Sequence, residues 1–178
     1  MSAEQRRDHV IRAAQIEFGQ FGFEGASTAD IAKRVGVSQP YLFRLFPSKK
    51  AIFLVAIDAC FDELESRFAA AAGDHTGEEA MAAMGRAYNE LLDEREKLQM
   101  QLQTWATACH DREIRAKTRH RWSRLWQLIE RLSGADQQRI MQFLASGMLL
   151  SVFAALELPR IKEQLGEALT GLSAPPAD

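Results

Sequence analysis

Three side chains suited to reading DNA bases lie close together in this chain: Gln39, Tyr41 and Arg44. Glutamine can form two hydrogen bonds with adenine, arginine can do the same with guanine, and an aromatic ring can contact a thymine methyl group. We expect all three to project from the exposed side of one short helix, opposite Leu42 and Leu45. Residues of these types on one helix face predict base readout in a major groove.

A second group of residues is suited to holding a DNA backbone, and its members are Thr28, Ser38, Phe43 and Lys49. Lys49 and Lys50 follow Ser48, a residue that can cap a helix, so both lysines fall in a first helical turn. Positive charge there opposes the helix dipole by about 0.3–1 kcal/mol per residue. A nearby phosphate would remove the conflict. The alternative is an exposed lysine pair without a partner.

These side chains lie within residues 27–46, whose pattern is typical of a helix-turn-helix. Gly36 follows the first helix, where glycine tolerates a left-handed backbone, and Ser38 can cap the second. Pro40 suits a first turn, and Phe46 stops the helix because it precedes proline. The apolar residues expected on the inner faces are Ile31, Ala32, Val35, Leu42 and Leu45. An ordinary helical hairpin is the alternative, although capping, turn, spacing and stop agree with a helix-turn-helix.

The whole chain predicts an all-α fold, with a three-helix helix-turn-helix head joined by a long helix to a helical-bundle body. Apolar spacing predicts a first helix over 4–20, ended by glycines, with Phe21 and Phe23 in the core beneath the head. Ser48 begins the long helix, which runs to about Ala72, and 73–77 is a turn. Further helices are expected at 78–92, 94–108, 111–132, 136–157 and 160–170. The predicted domains are a DNA-binding head (1–47), a ligand-binding and dimerisation body (48–172) and a flexible tail (173–178).

Charge is unevenly distributed along the 178 residues, whose net charge is −2. Residues 1–50 hold 8 basic and 5 acidic residues, a net of +3, and the remainder hold 14 and 19, a net of −5. This local positive excess fits phosphate binding by the first third. Two separated cysteines, Cys60 and Cys109, argue against a disulfide framework or a zinc site and fit a reducing cytoplasm. The polar N-terminus does not resemble a signal peptide.

The segment from Gly25 to Ile57, together with Phe18-Gly19-Gln20-Phe21-Gly22-Phe23 before it, closely resembles the head of TetR/AcrR-type transcriptional regulators. The resemblance covers about the first 60 residues. It implies a homodimer, a palindromic double-stranded DNA operator, repression, and a body that binds a small-molecule inducer. Two departures matter. The family usually has tyrosine where this chain has Phe43, and commonly a small residue where it has Tyr41, so the target sequence cannot be transferred from a relative.

The body contains methionines, aromatic residues and a few polar groups that are typical of an adaptable apolar ligand pocket. The candidate ligand residues are Met84, Tyr88, Met100, Gln103, Trp105, Trp122 and Trp126. For each of them, a place in an ordinary bundle core is the alternative. No cofactor is expected, and no cluster of side chains has the spacing of a metal site.

An uncharged segment, residues 140–156, is the predicted dimer interface, through Phe143, Met148, Leu149 and Phe153. It lies at the lower edge of a membrane-spanning length, but its polar residues are spread around the helix, so we expect no membrane role. The 111–132 helix is its expected partner. The basic run between Arg112 and Arg131 is interpreted as a solvated or intersubunit salt-bridged face, with a second DNA surface as the alternative.

Two other classes of function fit the sequence less well than a regulator does. A small enzyme is disfavoured because the chain lacks a nucleophile elbow, a metalloprotease motif, a phosphate-binding loop and a dinucleotide fingerprint. A non-catalytic adaptor that uses its helix-turn-helix for protein contacts is distinguished by salt, because phosphate binding weakens steeply with salt and an apolar protein interface does not.

Overall fold

A computed structural model describes residues 3–158. This part of the chain forms eight α-helices and no strand. In order they are α1 Ala3–Gly25, α2 Thr28–Val35, α3 Gln39–Leu45, α4 Lys49–Ala72, α5 Gly77–Asp93, α6 Arg95–Ala108, α7 Arg112–Ser133 and α8 Gln137–Ala155. The all-α prediction is confirmed. The predicted helix at 160–170 and the tail at 173–178 lie outside the described residues.

The chain forms two compact units, each built from two stretches of sequence. The first, which we call the head unit, runs up to Asp62 and includes Arg95–Arg121. The second, the body unit, contains Glu63–Glu94 and the described residues from Trp122 onward. The predicted functional boundary after residue 47 stays a prediction. The compact unit that contains the helix-turn-helix also contains α6 and about half of α7.

The two helices of the helix-turn-helix each begin after a serine cap, and Ser38 is the one expected above. The Ser27 hydroxyl accepts a hydrogen bond from the Asp30 backbone N–H at 3.3 Å, and Ser38 does the same for Tyr41 at 3.3 Å. Gly36 has φ 74°, in the left-handed region, where a side chain would add strain. Leu42 is fully buried and anchors α3 from within. The local signals in the sequence therefore place both helices.

The first helix departs from its predicted end. It continues to Gly25, but its backbone is non-helical at Gly22, with φ 70°. Phe23, after the break, stacks near Phe18 and Phe53, with ring centroids 6.2 and 5.1 Å away. Phe21 is 57% exposed, so the prediction that it fills the core is wrong. The break at Gly22 changes the helical phase, and Phe23 alone turns inward.

Helix α1 approaches α6 closely at a glycine. A Cβ atom on Gly19 would lie 3.3 Å from both the Met100 backbone nitrogen and the Gln99 Cβ atom. Such a distance is tighter than ordinary van der Waals contact, so a side chain there would push the helices apart. The absence of a side chain at Gly19 therefore allows the close approach of α1 and α6.

A buried carboxylate, Glu17 on α1, holds α2. Glu17 is 2% exposed. Its two carboxylate oxygens accept hydrogen bonds from the Ser27 backbone N–H and from the Arg34 Nε–H, each at 3.3 Å. Ser27 precedes α2 and Arg34 lies in its last turn, so one side chain contacts both ends of the helix. Burial of a charge is tolerated only when it is paired and hydrogen-bonded. Sequence reasoning did not identify Glu17.

The body unit joins α5 to α8 through a small polar contact within an apolar surface. The Tyr88 and Ser151 hydroxyls lie 2.7 Å apart and are buried. A Cβ atom on Gly147 would lie 3.2 Å from the Tyr88 ring, so the absent side chain lets the ring lie against α8. Arg139 forms two hydrogen bonds with Glu78 at 2.8 and 2.7 Å.

In residues 3–158, no helix combines the length and the hydropathy needed to cross a membrane.

Replacing Glu17 with glutamine tests its role in holding α2. Glu17→Gln removes the charge that Arg34 pairs with, and we expect the free energy of unfolding to fall by about 1–3 kcal/mol. Urea denaturation followed by circular dichroism measures the loss. The control is Glu24→Gln, because the Glu24 side chain is exposed and should change stability by less than about 0.5 kcal/mol. Equal effects of the two substitutions would contradict the assignment.

Candidate nucleic-acid interface

The outer surface of α3 is one continuous arc. At 3.6 residues per turn, Gln39, Phe43, Pro40 and Arg44 follow one another around the helix, and all four are exposed. Phe43, at 41% exposure, lies between Gln39 and Pro40 on this arc. A seven-residue helix with an exposed amide, aromatic ring and guanidinium can present donors, an acceptor and an apolar surface to base edges.

Tyr41 does not project where the sequence predicted. It is half-buried and lies beside Leu45, past the Arg44 end of the exposed arc. The expectation that it projects opposite Leu42 and Leu45 is therefore wrong, because the start of α1 packs against this flank. Arg6 donates a hydrogen bond to the Tyr41 hydroxyl at 2.9 Å. The predicted base-reading role of Tyr41 stays a prediction, but its position is at the edge of the arc.

The two helix starts of the helix-turn-helix are joined by a polar contact. The Gln39 amide donates to the Thr28 hydroxyl at 2.8 Å, and both residues follow a serine cap. This bond orients the Gln39 side chain before any ligand arrives. It also places Thr28, predicted to hold a backbone, next to a predicted base reader. Ser38 is occupied as the cap of α3.

The two lysines at the start of α4 both have partners within the protein. Lys49 donates to the Glu24 carbonyl oxygen at 2.9 Å and lies 5.2 Å from the centroid of the Phe23 ring. Lys50 pairs with Asp111 at 2.7 Å and with Glu113 at 3.7 Å. The hydrogen bond that Lys50 donates to Asp111 raises the pKa of Lys50 above its ordinary value, and the same bond lowers the pKa of Asp111. The dipole argument alone therefore does not require a phosphate, and the role of Lys49 stays a prediction.

Comparison with known proteins finds a family model that matches this arrangement. Residues 10–56, which contain α2, α3 and most of α1, match the model for bacterial regulatory proteins of the tetR family. The match ends within the first half of α4 and says nothing of the body.

Two curated relatives extend the comparison. The biofilm operon negative transcriptional regulator IcaR of Staphylococcus aureus (strain Newman) is 35% identical over 60 residues, which is 34% of this chain and 32% of IcaR. The chain thus matches about a third of the length of that relative. The transcriptional regulator BetI of Stenotrophomonas maltophilia (strain R551-3) is 26% identical over 142 residues, covering 76% of this chain and 72% of BetI. Both are named as regulators of transcription, which are not enzymes.

Solved structures show the same fold along most of the chain. A TetR transcriptional regulator from Chloroflexus aurantiacus superposes with a TM-score of 0.79 at 18% identity, covering 94% of this chain and 93% of the other. A TetR-family member from Streptomyces coelicolor gives 0.76 at 19% identity, covering 94% and 97%. At such identities the likeness concerns the fold.

Three of the basic residues on α7 form pairs with acids on α4. In the head unit, Lys117 donates to Asp58 at 2.7 Å, and Arg121 pairs with Asp62. In the body unit, Arg124 pairs with Glu65 at 3.0 Å. The partners are 59 residues apart in every case. These three charges are thus held within the chain, which neither interpretation of the basic run anticipated.

The candidate ligand residues are divided between the two units. Met84, Tyr88, Trp122 and Trp126 belong to the body unit, and Met100, Gln103 and Trp105 belong to the head unit. Met100 and Gln103 pack against α1, since a Cβ atom on Gly22 would lie 3.0 Å from the Gln103 Oε1 atom. The Asn89 Oδ1 atom on α5 is buried and has no hydrogen-bond partner among residues 3–158. A buried acceptor of this kind suits a water or a ligand donor, and sequence reasoning missed it.

The outer face of α8 is apolar. Exposed large residues recur along it at helical spacing: Met141, Met148, Leu149, Val152 and Leu156. Met148 and Leu149 are two of the four predicted interface residues. The other two, Phe143 and Phe153, are half-buried, and the Phe143 ring centroid lies 5.8 Å from that of Phe68. The predicted interface role of all four stays a prediction.

Proposed function

We propose that this chain is a sequence-specific DNA-binding transcriptional regulator, a cytoplasmic homodimeric repressor that binds a palindromic operator. The observation that carries the proposal is the exposed arc of α3 within a tetR-family domain. Gln39 suits adenine and Arg44 suits guanine. Phe43, exposed between Gln39 and Pro40, suits a thymine methyl group better than the half-buried Tyr41 does. Thr28, Ser38 and Lys49 complete the contacts to the DNA backbone.

A dimer follows from the energetics of a small head. A single head offers a few phosphate contacts, which bind weakly at physiological salt. Two linked heads on one duplex gain affinity through effective concentration. The apolar outer face of α8 supports a second copy of this chain as its partner, because a stripe of five exposed large apolar residues is costly to leave in water.

Release from DNA by a small, largely apolar ligand is the second part of the proposal, and it rests mainly on the family resemblance. The buried Tyr88–Ser151 pair and the Asn89 oxygen support a polar anchor within an apolar site of the body unit. Binding there would act through α4 on the spacing of the two heads. Thermodynamic linkage requires that DNA weaken ligand binding by the factor by which the ligand weakens DNA binding.

Selection of random-sequence duplex DNA by the purified protein at two salt concentrations tests the proposal. We expect a palindromic consensus whose affinity falls steeply as salt rises, because each phosphate contact releases counterions. A lack of enrichment at either salt would contradict DNA-binding function. Tight protein binding that is insensitive to salt would favour the adaptor instead.

Two substitutions separate base readout from backbone binding. Arg44→Ala should cost about 1–3 kcal/mol of operator binding and relax the preference at one base position. Lys49→Ala should weaken all sequences alike and reduce the salt slope by about one. Competition assays with the consensus and its single-base variants measure both effects. Identical specificity profiles for the two variants would refute the division of roles.

A charge on α8 tests the dimer. Leu149→Glu should give a monomer with much weaker operator binding, because the new carboxylate would be buried without a partner at the interface. In the monomer it would stay in water, since Leu149 is 42% exposed. Sedimentation equilibrium measures the association state. Ala70→Glu, at an exposed position on α4, is the matched control and should remain dimeric. A dimeric Leu149→Glu variant would exclude this face.

A further inference from the structure

Two residues far apart in the sequence meet at the flank of α3. The Arg6 guanidinium, on α1, donates to the Tyr41 hydroxyl at 2.9 Å, and its central carbon lies 5.4 Å from the centroid of the Tyr41 ring. The central carbon of the Arg44 guanidinium lies 5.9 Å from the same centroid. Two guanidinium groups thus lie close to the Tyr41 ring, at the border of the exposed arc.

The hydrogen bond fixes the polarity of the tyrosine hydroxyl. A guanidinium can only donate, so the Tyr41 oxygen must be the acceptor of this bond. The hydroxyl keeps one proton, which it can donate elsewhere. Among residues 3–158, no other hydrogen-bond partner of this hydroxyl is found. The Arg6–Tyr41 pair therefore turns the hydroxyl into a donor that is directed away from Arg6.

The charge around this donor selects an anion. Neither Arg6 nor Arg44 forms an ion pair within the described part of the chain, and two positive charges lie against one ring. Hydrogen bonds to an ionised acceptor are stronger than those to a neutral one. Tyr41 also lies at the border of the exposed arc, and the walls of a groove in which α3 lies are lined by phosphates.

We propose that Arg6 and Tyr41 form a donor pair for one DNA phosphate at the edge of the groove. Tyr41 contacts the phosphate through its remaining proton, and Arg6 acts as a positioning residue that also contributes charge. This inference rests on the proposed DNA-binding function and moves Tyr41 from base readout to backbone binding. It adds a contact from α1, which lies outside the helix-turn-helix.

A purely structural pair is the competing explanation, and its energetics are poor. Ordering a long arginine side chain costs rotamer entropy comparable to the net gain of a hydrogen bond to a neutral hydroxyl. The pair therefore adds little stability by itself. The same preordered geometry becomes useful when a phosphate completes it, because the entropy has already been lost before binding.

A double-mutant cycle on the operator obtained by selection tests the pair. Tyr41→Phe should lose about tenfold in affinity for all sequences alike, since it removes one hydrogen bond to a charged acceptor. Arg6→Met should lose affinity by a similar factor and lower the salt slope by about one. The double variant should lose less than the product of the two factors, because the two residues share one phosphate.

Three controls keep the cycle interpretable. Arg12→Met removes the same charge from an exposed position on α1 that has no contact with Tyr41, and it should leave the effect of Tyr41→Phe unchanged. Arg6→Lys retains a donor and a charge and should recover part of the affinity. Thermal melting of every variant should stay near that of the parent, which separates a DNA contact from a loss of folding.

Neutral methylphosphonate groups, substituted one at a time in the operator, identify the acceptor. One position in each half-site should weaken the parent protein more than the Tyr41→Phe variant, which still has the charge of Arg6, and should leave the double variant unaffected. Parent-like affinity of both single variants would overturn the pair, and so would a change in preference at one base with no phosphate effect. If the parent protein selects no DNA at all, the proposed function falls, and the phosphate assignment falls with it.

Discussion

A helix of seven residues, such as α3, cannot hold its own direction in water, because helices shorter than about 12 residues are marginal without tertiary packing. The direction of α3 therefore comes from what surrounds it. Leu42 and Phe46 are buried beneath it, Ser38 fixes its start, and the Gln39–Thr28 bond ties that start to α2. The α2 helix is in turn held by Glu17. The position of α3 thus depends on a series of contacts that ends at the buried carboxylate of Glu17.

Ion pairs connect the long helix α4 to Asp111 and to α7. The first turn of α4 is tied by Lys50 to Asp111, the residue before α7, and about two turns further on Asp58 pairs with Lys117. Each pair is partly exposed and contributes little stability, about 0–1 kcal/mol. The three pairs between α4 and α7 that share a spacing of 59 residues instead set the register of the two helices, since a slip by one residue would separate all three. The charges are more informative about alignment than about stability.

The sequence predicts the parts of this head that depend on near neighbours. Ser27, Gly36 and Ser38 act within four residues of themselves, so their roles could be read directly, and all predicted helix bounds after residue 27 that the structure describes agree within about two residues. Tyr41 and Glu17 depend on partners 10 to 35 residues away, and Phe21 is exposed because the helix breaks at Gly22. A helical wheel assigns a face to Tyr41, but only the packing of α1 decides which face is covered. The lysines at the start of α4 show the same limit, because Glu24 and Asp111 are distant in the sequence.

The head unit combines two distant stretches of the sequence, and this affects how the chain folds. Gly19 on α1 lies against α6, yet 75 or more residues separate them, and the unit includes Arg95–Arg121. During synthesis, the helix-turn-helix leaves the ribosome long before the segment that covers the rear of α1. Its local helices can form early, but closure of this long loop must precede the full packing of the unit. The apolar face of α1 that packs against α6 is thus exposed transiently in the nascent chain. A fragment that ends after α4 would leave this face exposed permanently.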